Sequence, residues 1–189
     1  MIYKNLARSL HSKRKRPPII PGFTPSAVLV PIVLAESQSH LLYTMRTDRV
    51  RDHKNQISFP GGVREKGDRN LQVTALRETQ EELGLDPAGI DVLGELEDIY
   101  TPTGYRITPF VGLISEPPSL VPNPGEIQEV IEVPLDHLLD PNNMKVERSE
   151  FFSQEFDMPF YYFKRHTIWG ATGRITRELI DILRPGSKK

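Results

Sequence analysis

Apolar and polar positions along this chain predict strands interspersed with helices. Residues 28–35 are apolar and rich in β-branched side chains, which is typical of a buried strand, and residues 41–46 are predicted to pair beside it. Further strands are predicted over residues 91–100, 107–114, 130–133 and 160–163. Helices are predicted over residues 71–83, 134–139 and 171–183.

This order of elements predicts an α/β sandwich, in which helices pack on a sheet. The chain has no internal repeat and no low-complexity linker that would separate two domains. We therefore predict an N-terminal arm, a single domain and a C-terminal tail, over residues 1–25, 26–184 and 185–189.

Composition and charge exclude several classes of protein. Lys and Arg total 24 against 25 Asp and Glu, a balance that does not favour a nucleic-acid partner. Cysteine is absent, which excludes disulfides, thiolate metal sites and a cysteine nucleophile. The most apolar run, residues 27–35, is far shorter than the roughly 20 residues of a spanning helix, and Pro17-Pro18 interrupt a signal peptide. We predict a cytoplasmic protein with no membrane partner.

The predicted helix over residues 71–83 carries the clearest chemistry. Glu78, Glu81 and Glu82 stand at positions i, i+3 and i+4, so they lie together beside the apolar stripe of the helix. Like charges at this spacing repel each other, and Arg77 is the only cation in register, one turn before Glu81. Mg²⁺ or Mn²⁺ would relieve the repulsion, because both ions prefer carboxylate oxygens. A solvent-exposed acidic face is the alternative interpretation.

The segment around these acids resembles the Nudix box, which runs Gly, five residues, Glu, seven residues, then Arg-Glu-aliphatic-x-Glu-Glu-x-Gly-aliphatic. Gly62 matches the first glycine. The second half is matched by Arg77, Glu78, Glu81, Glu82, Gly84 and Leu85. Asp68 replaces the first Glu with one additional residue before Arg77, and Thr79 replaces an aliphatic residue. The insertion leaves a direct metal role for Asp68 open.

Residues 42–62 are similar to the signature of the coenzyme A pyrophosphatase subfamily. That signature runs Leu-Leu-Thr-x-Arg-Ser/Ala, three residues, Arg, three residues, Gly, three residues, Phe-Pro-Gly-Gly. Both arginines and the Phe-Pro-Gly-Gly string are present, and the substituted positions are Tyr43, Thr47 and Asn55. Residues 101–105 and 168–172 also resemble that subfamily.

The resemblance implies a Nudix-type α/β/α sandwich with a mixed β-sheet and a metal-dependent pyrophosphohydrolase. It assigns Mg²⁺ or Mn²⁺ to Glu78 and Glu82, with help from Glu81 and a Gly62 backbone oxygen. Glu81 is the predicted general base, and Arg77 is predicted to orient the glutamates. Two acids of a later proline-rich loop are alternatives for the base, Glu126 and Glu129.

The implied substrate is coenzyme A, cleaved to 4'-phosphopantetheine and adenosine 3',5'-bisphosphate. Its pyrophosphate and its separate 3'-phosphate require several cations, and arginine can bind phosphate with two hydrogen bonds. The predicted substrate contacts are Arg46, Arg49, Arg51, Lys54 and Ser58. Two alternatives remain: a Nudix hydrolase of another nucleoside diphosphate derivative such as ADP-ribose, and a non-hydrolytic nucleotide-binding Nudix module.

Other residues carry weaker signals. Trp169 is predicted to be a core residue rather than an adenine platform, and His53 and His166 are predicted to have no catalytic role. The predicted partner is a small coenzyme A-like dinucleotide, and a homodimer is left open.

Overall fold

The computed structural model describes residues 6–10, 19–35, 38–47, 56–151 and 154–184. The strands are β1 (Thr24–Val33), β2 (His40–Arg46), β3 (Ile57–Ser58), β4 (Gly61–Val63), β5 (Asp91–Glu95), β6 (Ile99–Tyr100), β7 (Tyr105–Ile114), β8 (Ile127–Pro134), β9 (Met144–Phe151), β10 (Gln154–Phe163) and β11 (His166–Ile168). The helices are α1 (Leu71–Leu83), α2 (Leu135–Leu139) and α3 (Gly170–Leu183), and residues 6–10 are also helical.

The main sheet is mixed, as predicted. Its strands follow the order β3-β2-β1-β7-β5, while β4 pairs with β1, β6 with β7 and β8 with β2. β1 and β7 are parallel over ten residue pairs, from Thr24 opposite Tyr105 to Val33 opposite Ile114. The other pairings in this sheet are antiparallel. β9, β10 and β11 form a second, antiparallel sheet.

The two long helices cover opposite faces of the main sheet. In β1, Ala27 and Leu29 pack with Ala75 of α1, whereas Val30 packs in the cluster that contains Leu179 of α3. Successive strand residues point to opposite faces, so this alternation places one helix on each side. The predicted α/β/α sandwich is thus confirmed.

Part of the predicted N-terminal arm packs on the domain. Leu6 and Leu10 are buried in the cluster on the α3 side of the sheet. A Cβ atom on Gly94 would lie 2.9 Å from Leu10 Cβ, so the helical segment approaches β5 closely. The proposed domain boundaries remain a prediction.

Some strands differ from those predicted. The strand expected over residues 91–100 is divided into β5 and β6. β9 was not predicted, since four of its eight residues are charged, as is typical of a solvent-exposed loop. β4 was also not predicted, since it contains the Gly61-Gly62 pair; it is a strand because Gly62 pairs opposite Ala27 of β1. No helix in the part of the chain that the structure describes is long and apolar enough to cross a membrane.

β1 pairs with two strands, β2 and β4, on the side away from β7. β4 pairs with the first half of β1, and β2 pairs with its end, where Leu41 lies opposite Ile32. Residues 59–60 connect β3, which pairs with β2, to β4, and Leu29 N donates to the Pro60 carbonyl at 2.9 Å. The glycines of β4 are therefore held beside α1, which packs on β1 and β4.

Candidate active site

Local signals at both ends define α1 at the predicted bounds. The Asn70 side chain accepts a hydrogen bond from Val73 N at 2.9 Å, a cap that contributes about 1 kcal/mol to helix stability. Gly84 ends the helix in the left-handed region, at φ 70°. The Thr79 hydroxyl donates to the Ala75 carbonyl at 2.7 Å, so the departure from the Nudix pattern leaves no unpaired buried group.

The three glutamates of α1 are brought together but are not equivalent. The Glu82 side chain is 2% exposed, that of Glu78 is 17% exposed and that of Glu81 is 54% exposed. The ranking follows from the packing of α1 on β1 and β4, which covers one side of the acidic face. The helical spacing predicted the proximity of the acids but not this gradient of burial.

Glu82 is a buried carboxylate with two polar contacts. Its Oε2 accepts a hydrogen bond from Gly61 N at 3.3 Å, and its Oε1 accepts one from Arg46 Nη1 at 3.3 Å. Burial raises the pKa of Glu82 to about 8; Arg46 and the Gly61 amide lower it, whereas the Glu78 and Glu126 carboxylates raise it further. The site therefore disfavours the charged form of Glu82 unless a further cation joins Arg46 beside it.

Glu78 lies directly against Gly62. A Cβ atom on Gly62 would be 2.4 Å from the Glu78 carboxyl carbon, so only glycine leaves room for this side chain in its present position. Burial raises the pKa of Glu78, and the ion pair with Arg77 lowers it. The Glu78 and Glu82 carboxylates therefore both lie against the backbone of β4.

Asp68 connects the loop before α1 to Arg77. It is 5% exposed and accepts hydrogen bonds from Glu65 N and Thr74 Oγ1, both at 2.9 Å. Arg77 Nε and Nη2 contact its two oxygens at 3.2 Å. The hydrogen bonds from Arg77 have the largest effect on the pKa of Asp68, and together with those from Glu65 and Thr74 they lower it to about 2, although burial raises it. Both oxygens of Asp68 accept hydrogen bonds from protein donors, so in this structure Asp68 holds Arg77 and the loop before α1.

Arg77 contacts more acids than its helical position predicted. Its Nη1 donates to Glu81 Oε2 at 2.9 Å, as expected, but its Nη2 also pairs with Glu78 Oε1 at 2.9 Å. Helical register therefore predicted the contact with Glu81 but not the one with Glu78, which is adjacent to Arg77 in the sequence; Asp68 holds the same guanidinium from the loop before α1. A positioning role for Arg77 stays a prediction.

We expect the substitution Asp68→Asn to destabilise the fold by about 2 kcal/mol at pH 7, the free energy that corresponds to the difference between a pKa of 3.8 and about 2. Because the folded-state pKa is the lower one, this contribution is complete above about pH 4.5 and is lost as the pH falls toward about 2. Urea unfolding of both proteins at pH 7 and pH 3 measures it. A difference that does not shrink at pH 3 would contradict the assignment.

Two further residues join the site from elsewhere in the chain. Arg46, at the end of β2, contacts Glu82 and lies 3.9 Å from Glu126 Oε2. Glu126 belongs to the loop before β8, which is tied to α1 because Asn123 N donates to the Glu82 carbonyl at 2.9 Å. Glu129 instead pairs with Arg165 and His166, at 2.7 and 3.3 Å. Of the two loop acids, Glu126 therefore lies with the glutamates of α1.

The remaining predicted contacts have mixed outcomes. Ser58 Oγ is 3.3 Å from Thr44 Oγ1, on neighbouring strands. Trp169 is 51% exposed and stacks on Phe160 at 6.0 Å between ring centroids, so the prediction of a core residue is wrong. It precedes α3 directly, beyond the part of the helix that packs on the sheet. Four residues lie outside those that the structure describes: Arg49, Arg51, Lys54 and His53.

Mg²⁺ or Mn²⁺ fits the donor chemistry of this site. Glu78 and Glu82 supply hard oxygens, and the charge of Glu78 raises the pKa of Glu82, a repulsion that a divalent ion removes. Among the described residues, no three Asp, Glu or His side chains are grouped as a complete metal site. A bound cation would therefore complete its coordination shell with backbone, water or substrate oxygens, as Mg²⁺ commonly does.

Comparison with known proteins agrees with this geometry. The NUDIX domain model matches residues 24–154. The mitochondrial coenzyme A diphosphatase NUDT8 of Mus musculus is 37% identical over 187 residues, which cover 96% of this chain and 85% of that protein. A Nudix hydrolase, NudL, of Photorhabdus laumondii is 36% identical over 154 residues, 82% of each chain.

Solved structures show the same fold at lower sequence identity. A Nudix hydrolase from M. smegmatis, RenU, has a TM-score of 0.52 and 20% identity, over 62% of this chain and 74% of its own. A MutT/nudix family protein from Enterococcus faecalis has a TM-score of 0.52 and 17% identity, over 95% of this chain and 70% of its own. Because one relative is named as mitochondrial, the cytoplasmic location stays a prediction. The matched domain and the relatives of similar length establish that this chain belongs to the Nudix family of hydrolases.

Proposed function

We propose that this Nudix hydrolase cleaves the pyrophosphate bond of coenzyme A or its derivatives, with Mg²⁺ or Mn²⁺, to 4'-phosphopantetheine and adenosine 3',5'-bisphosphate. The observation that carries the proposal is the pair of partly and fully buried carboxylates, Glu78 and Glu82, against the glycines of β4. The substrate is supported by the coenzyme A signature over residues 42–62 and by the name of the mouse relative. All three glutamates of α1 are retained, which disfavours a non-hydrolytic module.

Glu78 and Glu82 are the two principal proposed ligands of the ion, with help from Glu81 and a Gly62 backbone oxygen. A bound divalent ion lowers the pKa of a coordinated water and neutralises charge on the pyrophosphate. Residues of the chain orient the carboxylates, bind the substrate and accept the proton of the attacking water.

Glu81 is the proposed general base. Its carboxylate is the most exposed of the three and is held by Arg77 Nη1 at 2.9 Å, so it can reach a water on the solvent side of the site. Arg77 is itself fixed on Asp68, and it positions both Glu78 and Glu81. Glu126 is the alternative base, since its carboxylate also lies with Glu82 and Arg46.

Phosphate recognition is proposed for the cations near the end of β2. Arg46 is 25% exposed and lies beside Glu82, so a substrate phosphate at the metal would be within its reach. Further cations of the same segment are proposed to bind the 3'-phosphate: Arg49, Arg51 and Lys54.

We expect coenzyme A to be hydrolysed with a kcat/KM at least about tenfold above that of 3'-dephospho-coenzyme A. One charge-assisted hydrogen bond to the 3'-phosphate, about 1.5–3 kcal/mol, accounts for a ratio of this size. Steady-state rates for both compounds at the same Mn²⁺ concentration give the ratio. Equal values would contradict the substrate assignment, and faster turnover of ADP-ribose would favour the alternative function.

A further inference from the structure

Arg46 is a cation placed between two carboxylates that belong to different parts of the chain. Its Nη1 lies 3.3 Å from Oε1 of Glu82 in α1, and its Nη2 lies 3.9 Å from Oε2 of Glu126 in the loop before β8. Glu82 is almost fully buried, whereas Glu126 is 41% exposed. The guanidinium therefore supplies, from the protein itself, positive charge at the carboxylate proposed to hold the metal.

The backbone conformation at the end of β2 directs the Arg46 side chain toward α1. The pairing of β2 with β8 shifts register between Met45 and Arg46, since Met45 lies opposite Glu129 and Arg46 opposite Ile127. A bulge of this kind redirects side chains at the end of a strand. Arg46 N also donates to the Gln56 carbonyl at 3.2 Å, so the backbone is held while the long side chain projects toward α1.

The second arginine of the site is held quite differently. Arg77 contacts both oxygens of the buried Asp68 at 3.2 Å, and two further carboxylates at 2.9 Å. These four contacts hold the Arg77 guanidinium in place. The contacts of Arg46, at 3.3 and 3.9 Å, are longer and are made only to Glu82 and Glu126 among the described residues. Of the two arginines, Arg46 is the one that can change partners.

We propose that Arg46 exchanges partners when the site is loaded: it pairs with Glu82 and Glu126 in the metal-free protein, and a divalent ion bound at Glu82 releases it to bind a substrate phosphate. This inference rests on the proposed function, because it needs a metal at Glu82. It adds that Arg46 competes with the metal and couples metal binding to phosphate binding. Such coupling is reciprocal, and values of about 5- to 150-fold are usual.

The test is Mn²⁺ binding to the full chain by isothermal titration calorimetry, without substrate. We expect Arg46→Gln to bind Mn²⁺ at least about fivefold more tightly than the wild type, because the competing cation is gone. Arg46→Lys, which keeps the charge, is expected to stay within about twofold of the wild type. Arg148→Gln is the matched control, since Arg148 is 75% exposed in the second sheet and pairs there with Asp157.

A second titration adds adenosine 3',5'-bisphosphate, with correction for the Mn²⁺ that the free nucleotide binds. The wild type is expected to gain at least about fivefold in Mn²⁺ affinity, and Arg46→Gln to gain less than twofold. Thermal melting followed by circular dichroism checks that each variant is folded, and Arg46→Met takes the place of Arg46→Gln if the latter is not.

The outcomes separate the two proposals. Unchanged or weaker Mn²⁺ binding by Arg46→Gln, beside normal binding by the wild type, would overturn the exchange of partners and leave the metal site intact. Equal gains with the nucleotide in both proteins would overturn it as well. Absence of Mn²⁺ binding to the wild type at millimolar concentration would overturn the proposed function itself.

Discussion

Glu82→Gln is expected to lower kcat for coenzyme A at saturating Mn²⁺ by about 10³-fold or more. The substitution removes one of the two proposed ligand carboxylates, and a factor of this size corresponds to about 4 kcal/mol of lost transition-state stabilisation. Product formation at a series of Mn²⁺ concentrations separates weaker binding of the ion from slower chemistry. Turnover at the wild-type rate would refute the metal assignment.

The same variant is expected to keep its fold, because neutral Gln resembles the protonated form of Glu82, whose pKa is about 8. Since that pKa is raised above the usual 4.5, the folded protein binds the proton more tightly than the unfolded chain does. In metal-free buffer, the wild type should therefore lose stability as the pH rises from about 4.5 to 8, and Glu82→Gln should lose less. Urea unfolding across this range measures the difference.

Two matched controls complete the comparison. Glu155→Gln changes a side chain that is 76% exposed in the second sheet, and it should leave kcat unchanged. Glu81→Gln should lower kcat by a larger factor than it lowers Mn²⁺ affinity, as removal of a general base requires. If Glu126→Gln has that effect instead, Glu126 is the base.

Gly62→Ala is expected to lower kcat by about 10²-fold while the protein remains folded. The new Cβ atom would lie 2.4 Å from the Glu78 carboxyl carbon, so the carboxylate must move, and a displacement of about 1 Å at a reacting centre costs rates of this order. The clash involves the end of a flexible side chain, so we expect the free energy of unfolding to change by less than about 1 kcal/mol. Steady-state kinetics and urea unfolding give the two quantities.

Two other glycines, Gly61 and Gly67, serve as comparisons for Gly62→Ala. A Cβ atom on Gly61 would lie 2.3 Å from the Ala27 carbonyl oxygen and 2.6 Å from Val28 Cα, in the backbone of the central strand. Because that backbone cannot move independently, Gly61→Ala should cost about 3 kcal/mol or more of folding free energy. Gly67→Ala meets nothing within 4 Å and should be neutral in both assays. Full activity of Gly62→Ala would contradict the role given to the close approach of Glu78.

Local interactions explain why α1 was predictable from the sequence. Its start at Leu71 and its end at Leu83 depend on the Asn70 cap and on Gly84, which are adjacent in the chain. The proximity of the three glutamates follows from helical spacing alone. The Nudix resemblance rests on the same contiguous residues, and the NUDIX domain match confirms it.

Strands were less predictable, because their pairing is not local. β4 contains two glycines, a residue type that is unfavourable within strands. It is nevertheless a strand because it pairs with residues 26–28 of β1. Half of the residues of β9 are charged, and it is a strand because β10 pairs with it. The sequence predicts Trp169 in the core, whereas its position directly before α3 leaves it 51% exposed.

What the sequence determined by itself is the helix, its cluster of acids, the family and the mixed α/β architecture. What only the tertiary structure decided is the difference among those acids: Glu82 is buried and Glu81 exposed, since α1 packs on the sheet by one side. It also decided that Arg46, 36 residues from Glu82 along the chain, lies on that carboxylate. Burial and long-range ion pairs depend on which surfaces meet after folding, and no spacing within one segment encodes that.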